Sequence, residues 1–178
     1  MTERVLVIAE AGVNHDGDVG KALDLVDAAV EAGADIVKFQ TFSVEDLATL
    51  HAPLAQYQST STGGGGNQLS MLRELSLHDD DWRSVASKCK EKDIEFLSTG
   101  FDPKSLDLLL RIGMKRIKVP SGEITNLPLL RYISGLGLPV IMSTGMADLS
   151  EVEAALAVLE AEHADVPEVR LLHCTSQY

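Results

Sequence analysis

Two lysines interrupt apolar runs, Lys38 in "DIVKFQ" and Lys118 in "RIKVPS". An ammonium inside such a run is costly unless something anionic meets it. Polar and reactive residues gather at the ends of these and similar runs: Glu10, then Lys38 and Gln40, then Ser98 and Thr99, then Lys118, Ser121 and Glu123, then Ser143 and Thr144, then His173, Thr175 and Ser176. Lysine supplies a point charge with rotatable donors, and Ser or Thr hydroxyls engage the remaining acceptor lone pairs, so the set suits phosphate and carboxylate. Glu10 and Glu123 add carboxylates that can bind sugar hydroxyls or handle protons. A second reading stays open, in which Lys38 and Lys118 are internal ion-pair partners of those glutamates.

The elements that would position these residues follow from periodicity. Short Val- and Ile-rich runs at 4–10, 35–40, 94–99, 116–121, 139–144 and 169–175 predict buried parallel strands. Helical segments alternate with them, as in 18–33, where Ala22, Leu25, Val26, Ala29 and Gly33 fall on one face. Asp102 before Pro103 predicts an N-cap with proline at the first helical position, and Asp148 with Glu151 predicts a capping box. Repeated strand and helix predict a parallel sheet with right-handed crossovers, either open and doubly wound or closed as a barrel. In either, the C-terminal strand ends share one face. Strand parity sets Lys38 and Gln40 opposite Val37 and Phe39, and Lys118 opposite Ile117 and Val119. The connection between the second and third strands is long and contains "STSTGGGGNQ", with helical stretches near 68–76 and 79–92. It reads as a flap over the strand ends, or as an insertion with no role.

Composition narrows the function. The chain has 178 residues, 45% of them hydrophobic, enough for a sizeable single core. A formal charge of −12 disfavours nucleic acid and anionic membranes as partners, so any anion site must be local. Cys89 and Cys174 form no CxxC and lie in apolar patterns, which predicts reduced, packed thiols and a cytoplasmic location. The stretch "MTERVLVIAEAG" reads as a first strand, not as a cleaved leader or a membrane span.

Six ordered motifs, "AEAGVNHDG", "GADIVKFQTF", "FLSTGFD", "KVPSGEITNLPLL", "PVIMSTGM" and "LLHCTSQY", resemble the N-terminal barrel of the N-acetylneuraminate (sialic acid) synthases over essentially the whole chain. The resemblance implies a (β/α)8 TIM-barrel type of fold and condensation of phosphoenolpyruvate with N-acetylmannosamine or a related sugar. It also implies a divalent metal, manganese or magnesium, and a homo-oligomer. On this resemblance Lys118 and Ser121 hold phosphoenolpyruvate, Lys38, Thr99 and Ser143 surround its phosphate and carboxylate, and Glu123 and Gln40 lie near the sugar. Glu10 matches a catalytic-site glutamate. Ser176 and Tyr178 match a small polar residue and a tyrosine at the top of the sixth strand, and Asn67 is a weaker match from the flap.

The chain departs from that family in two places. Gly100 stands where the family often has proline. Six strand runs are present where a barrel of about 250 residues has eight, so residues 1–178 are expected to form an incomplete barrel domain. The last strands, the metal-binding histidines and a C-terminal antifreeze-like (SAF) domain would then be absent, and the piece alone inactive. His15, His51, His78 and His163 read as surface or loop residues and His173 as a core or supporting histidine, with none assigned to a metal. Two other readings remain: a class I aldolase with a Schiff base on Lys118 or Lys38, and a noncatalytic module that binds anionic sugars.

Overall fold

The computed structural model describes residues 4–47, 68–161 and 168–175, excepting the side chains of Glu45 and Asp46. Its chain divides into two compact units, Met1–Glu95 and Phe96–Tyr178.

The first unit begins with β1 (Ile8–Gly12), α1 (Val19–Glu31) and β2 (Ile36–Thr41). β1 and β2 pair in parallel, with Glu10 opposite Lys38, and the register slips between Glu10 and Gly12. β1 therefore starts later and runs further than its apolar run predicts. Val5 and Val7 stay 80% and 52% exposed, because they precede the paired residues. A register slip bends a strand and re-aims its side chains, and here it falls beside Glu10. Asp18 caps α1, its side chain accepting from the Lys21 amide. Ala22, Val26 and Ala29 form the buried face. Gly33 does not share that face as the periodicity suggests; with φ +72° it follows the helix end, a left-handed position that glycine takes without a Cβ clash.

The connection to β3 (Glu95–Gly100) carries α2 (Val44–Leu47), α3 (Gln68–Glu74) and α4 (Asp79–Glu91). Both predicted helical stretches are present, while the glycine run, Asn67 and His51 lie outside the described residues. Val44, Leu69 and Leu72 make a small core of their own. Trp82, Val85 and Cys89 are the buried residues of α4. Three aspartates in its first turn and two lysines in its last complement the helix dipole.

In the second unit, α5 (Pro103–Arg111), β4 (Ile117–Val119), a 3₁₀ turn (Ser121–Glu123), α6 (Leu127–Gly135), β5 (Val140–Ser143), α7 (Leu149–Glu160) and β6 (Val169–Leu172) alternate as expected. The strands pair in parallel in the order β4-β5-β6. The Asp102 side chain accepts from the Ser105 amide at 2.8 Å with Pro103 in the first turn. Asp148 and Glu151 exchange both capping-box bonds, at 2.9 and 3.0 Å. β4 is shorter than its apolar run, because Pro120 ends it and the chain turns at once through Ser121. This early ending places Ser121 and Glu123 in a turn beyond the strand.

Two sequence expectations are corrected here. His15 is no surface residue: it is fully buried, its ring 6.3 Å from that of Phe39 and 5.8 Å from that of Trp82. Its Nδ1 accepts from the Gly17 amide at 3.1 Å, a local turn that lets a polar ring enter the core. Cys174 and His173 are exposed rather than packed, since they follow the last paired residue of β6. His163 lies outside the described residues.

Candidate active site

Each unit gathers expected site residues at the C-terminal ends of its strands. In the first, the Lys38 ammonium meets Glu10 Oε2 at 2.6 Å. The lysine is buried and the glutamate more than half exposed, so the pair presents a carboxylate outward from a buried amine. The ion-pair reading of the sequence thus holds for Lys38. Gln40, two residues along the strand, flanks Gly12 together with Glu10: a Cβ built on Gly12 would lie 3.4 Å from Glu10 Oε1 and 3.8 Å from Gln40 Nε2.

In the second unit Lys118 finds different partners. Its Nζ donates to Ser143 Oγ and to the Val119 carbonyl, both at 2.7 Å. Both acceptors are neutral oxygens. Lys118 and Ser143 are each 8% exposed and come from adjacent strands, with Lys118 opposite Ile141 in the register. The ion-pair reading does not describe these bonds: Glu123 instead accepts from Asn126 Nδ2 at 2.7 Å. Asn126 is also the N-cap of α6, so helix capping fixes the carboxylate. Thr99 is buried near the end of β3.

Beyond β4 the Ser121 hydroxyl accepts from the Gly145 amide at 2.9 Å and lies 3.6 Å from Cys174 Sγ. The Ser121–Cys174 hydrogen bond is the largest influence lowering the Cys174 pKa, followed by slight burial that opposes it, the Gly145 and Thr144 amides and the Lys118 charge. Gly145, Cys174 and Asn126 are contributors that motif reading passes over. Cys174 sits between His173 and Thr175 beyond a strand end, the position that singled out its neighbours. A backbone amide leaves no residue-type signal at all. Ser176 and Tyr178 lie outside the described residues.

No group of three or more His, Cys, Asp or Glu side chains able to hold a metal ion occurs among the described residues. Those residues therefore do not fit, by themselves, the divalent metal that the resemblance implies. No helix among them is long and apolar enough to cross a membrane.

Parallel strands alternating with helices, with lysines and hydroxyls at their C-terminal ends, define an α/β protein of the kind that builds its site on one set of strand ends. Residues 25–178 match the NeuB family model, and the chain belongs to the NeuB family. It is 45% identical over 176 residues to the N,N'-diacetyllegionaminic acid synthase of Campylobacter jejuni, covering 99% of this chain and 53% of that protein. The synthase of the same description from Legionella pneumophila is 45% identical over 174 residues, covering 97% and 49%. The crystal structure of N-acetylneuraminic acid (sialic acid) synthetase from Leptospira borgpetersenii, in complex with citrate, superposes with a TM-score of 0.84 at 30% identity, covering 99% of this chain and 56% of that one. The chain thus spans about half the length of the curated relatives it matches.

Proposed function

We propose that this chain carries the phosphoenolpyruvate- and sugar-binding residues of a nonulosonic acid synthase, on a fold of the (β/α)8 barrel type. The carrying observation is the buried Lys118 ammonium held by Ser143 and the Val119 carbonyl, with Ser121 in the turn just beyond β4. Such a group receives the anionic oxygens of phosphoenolpyruvate, and the motif resemblance alone adds Thr99 and Lys38 to the residues that bind it. The Leptospira relative was crystallised in complex with citrate, a carboxylate.

In the reaction, the enol carbon of phosphoenolpyruvate attacks the aldehyde carbon of an N-acetylmannosamine-like sugar and forms the new C–C bond. Water adds to the resulting cationic carbon, one of its protons passing to the former aldehyde oxygen and the other to the phosphate, which leaves as its C–O bond breaks and the ketone forms. Lys118 and the hydroxyls of Ser121 and Ser143 hold the phosphate and carboxylate through these steps, which fixes the enol carbon against its target. Glu123, oriented by Asn126, and Gln40 contact the sugar, and Ser176 and Tyr178 belong to the substrate-binding set on the motif resemblance alone. Glu10, exposed and paired to Lys38, is placed to accept a proton.

Phosphate release tests this reading. Release that requires both phosphoenolpyruvate and an N-acetylmannosamine-type sugar is expected, and Lys118→Ala should lower phosphoenolpyruvate affinity roughly 10- to 100-fold. Val119→Ala should leave that affinity within about twofold, as befits a side chain on the opposite parity. A borohydride-stable keto-acid adduct on Lys38 or Lys118 would instead establish Schiff-base chemistry.

A further inference from the structure

Cys174 has no part in the reaction just described, yet its sulfur lies against the anion-receiving group. Ser121 Oγ takes the Gly145 N–H, so its own proton is free to point toward Cys174 Sγ 3.6 Å away, or toward a ligand. The thiol is exposed, whereas Cys89, the other cysteine of the chain, is buried. Ser121 is held from two directions, by the β5–α7 loop through Gly145 and by the end of β6 through Cys174.

We infer that Cys174 is a positioning residue of the anion site, its sulfur holding the Ser121 hydroxyl in place until a phosphate or carboxylate oxygen takes that hydroxyl over. The inference rests on the phosphoenolpyruvate reading above. It assigns the contact, and the exchange of partners, to a residue with no role in bond making. In the free protein Ser121 Oγ and Cys174 Sγ share a hydrogen bond in which either can be the donor; with the hydroxyl donating, the bond favours the thiolate, which is the reactive form. A bound anion withdraws that donor and places negative charge nearby, and both effects suppress the thiolate. Reactivity of Cys174 therefore reports the state of Ser121.

Two measurements on the purified protein test this. The first uses no ligand: iodoacetamide labelling is followed by mass spectrometry at fixed pH, with buried Cys89 as the unreactive internal reference. Ser121→Ala should label at Cys174 about threefold or more slowly than wild type, the loss of one hydrogen bond, while Ser84→Ala on α4 labels at the wild-type rate. Equal rates for Ser121→Ala and wild type would overturn the contact. Circular dichroism of each variant confirms that folded proteins are compared.

The second measures phosphoenolpyruvate binding by calorimetry. Cys174→Ala should weaken it about 3- to 10-fold, and Cys174→Ser, which can still bond Ser121, should restore it to within about twofold. Saturating phosphoenolpyruvate should also slow wild-type labelling. Tight wild-type binding that Cys174→Ala leaves unchanged would overturn the role of Cys174 alone. A wild-type protein that binds no phosphoenolpyruvate would overturn the reading of the site, and the inference with it.

Discussion

Mild acid should unlock the turn that follows Glu10, and His15 is the residue through which it acts. The ring is fully buried against Phe39 and Trp82, and burial lowers its pKa below the usual 6.5, with nearby Asp16 opposing. Nδ1 accepts a hydrogen bond, so the neutral ring carries its proton on Nε2, a buried atom with no hydrogen-bond partner among the described residues. A second proton would have to displace the Gly17 amide from Nδ1. Because the folded pKa is depressed, the unfolded chain binds the proton first as pH falls, and the stability from a neutral His15 is complete above 6.5 and lost below it. Below 6.5 the unfolded chain therefore gains stability over the folded one from this group, a loss that counts against a marginal total. His15→Asn keeps an acceptor for Gly17 but abandons the aromatic contacts, and should cost about 2–3 kcal/mol at pH 7.5. Urea denaturation of both proteins from pH 7.5 to 5 gives the answer. The gap between them should narrow with falling pH, since only wild type carries the histidine penalty. A gap that stays constant across that range would refute a neutral, buried His15.

Three further outcomes are expected. Gly100→Ala should lower stability by about 1–3 kcal/mol in thermal or urea unfolding, because the added Cβ would lie 2.8 Å from Leu106 Cδ2 and 3.3 Å from the Leu106 backbone nitrogen. Met146, 79% exposed with φ +66°, holds a left-handed backbone without burying its side chain; Met146→Gly should be neutral or stabilise by up to about 1 kcal/mol in the same assay. Leu171 and Leu172 of β6 are each 43% accessible among the described residues, so Leu171→Lys should change stability by less than about 1 kcal/mol in the same assay, the small effect of a surface substitution; a larger loss would show that the side chain is buried.

The alternation of strands and helices was legible because buried parallel strands read as unbroken Val and Ile runs, and because caps such as Asp102 and Asp148 are local signals. Strand ends were less legible. The apolar run through Ser121 hides a break that Pro120 imposes, and the run from Arg4 hides residues that precede the paired part of β1. Parity sets Lys38 and Lys118 apart from their apolar neighbours in the sequence, but burial does not, since β2 and β4 are buried at all these positions, lysines included. What periodicity cannot supply is the partner of a buried amine. His15 shows the same limit from the other side: a polar residue in a glycine-containing loop reads as exposed, and only the tertiary approach of Phe39 and Trp82 makes it core.

The two lysines, alike in sequence context, are not equivalent in chemistry. Lys38 is bonded to a carboxylate, so an anionic ligand approaching it competes with Glu10, whereas the partners of Lys118 include the neutral oxygens of Ser143 and Val119. Hydrogen bonds to neutral acceptors orient a cation without cancelling its charge. Competition with Glu10 has a use of its own: a ligand oxygen that draws on Lys38 loosens its hold on the half-exposed carboxylate, which is then released to meet another donor. Glu10→Gln should therefore preserve phosphoenolpyruvate binding, or strengthen it, while slowing any step in which a proton is taken up. Weaker phosphoenolpyruvate binding in Glu10→Gln, measured by calorimetry beside Lys118→Ala, would show that the Lys38–Glu10 pair serves the anion site as a unit and that this division of labour is wrong.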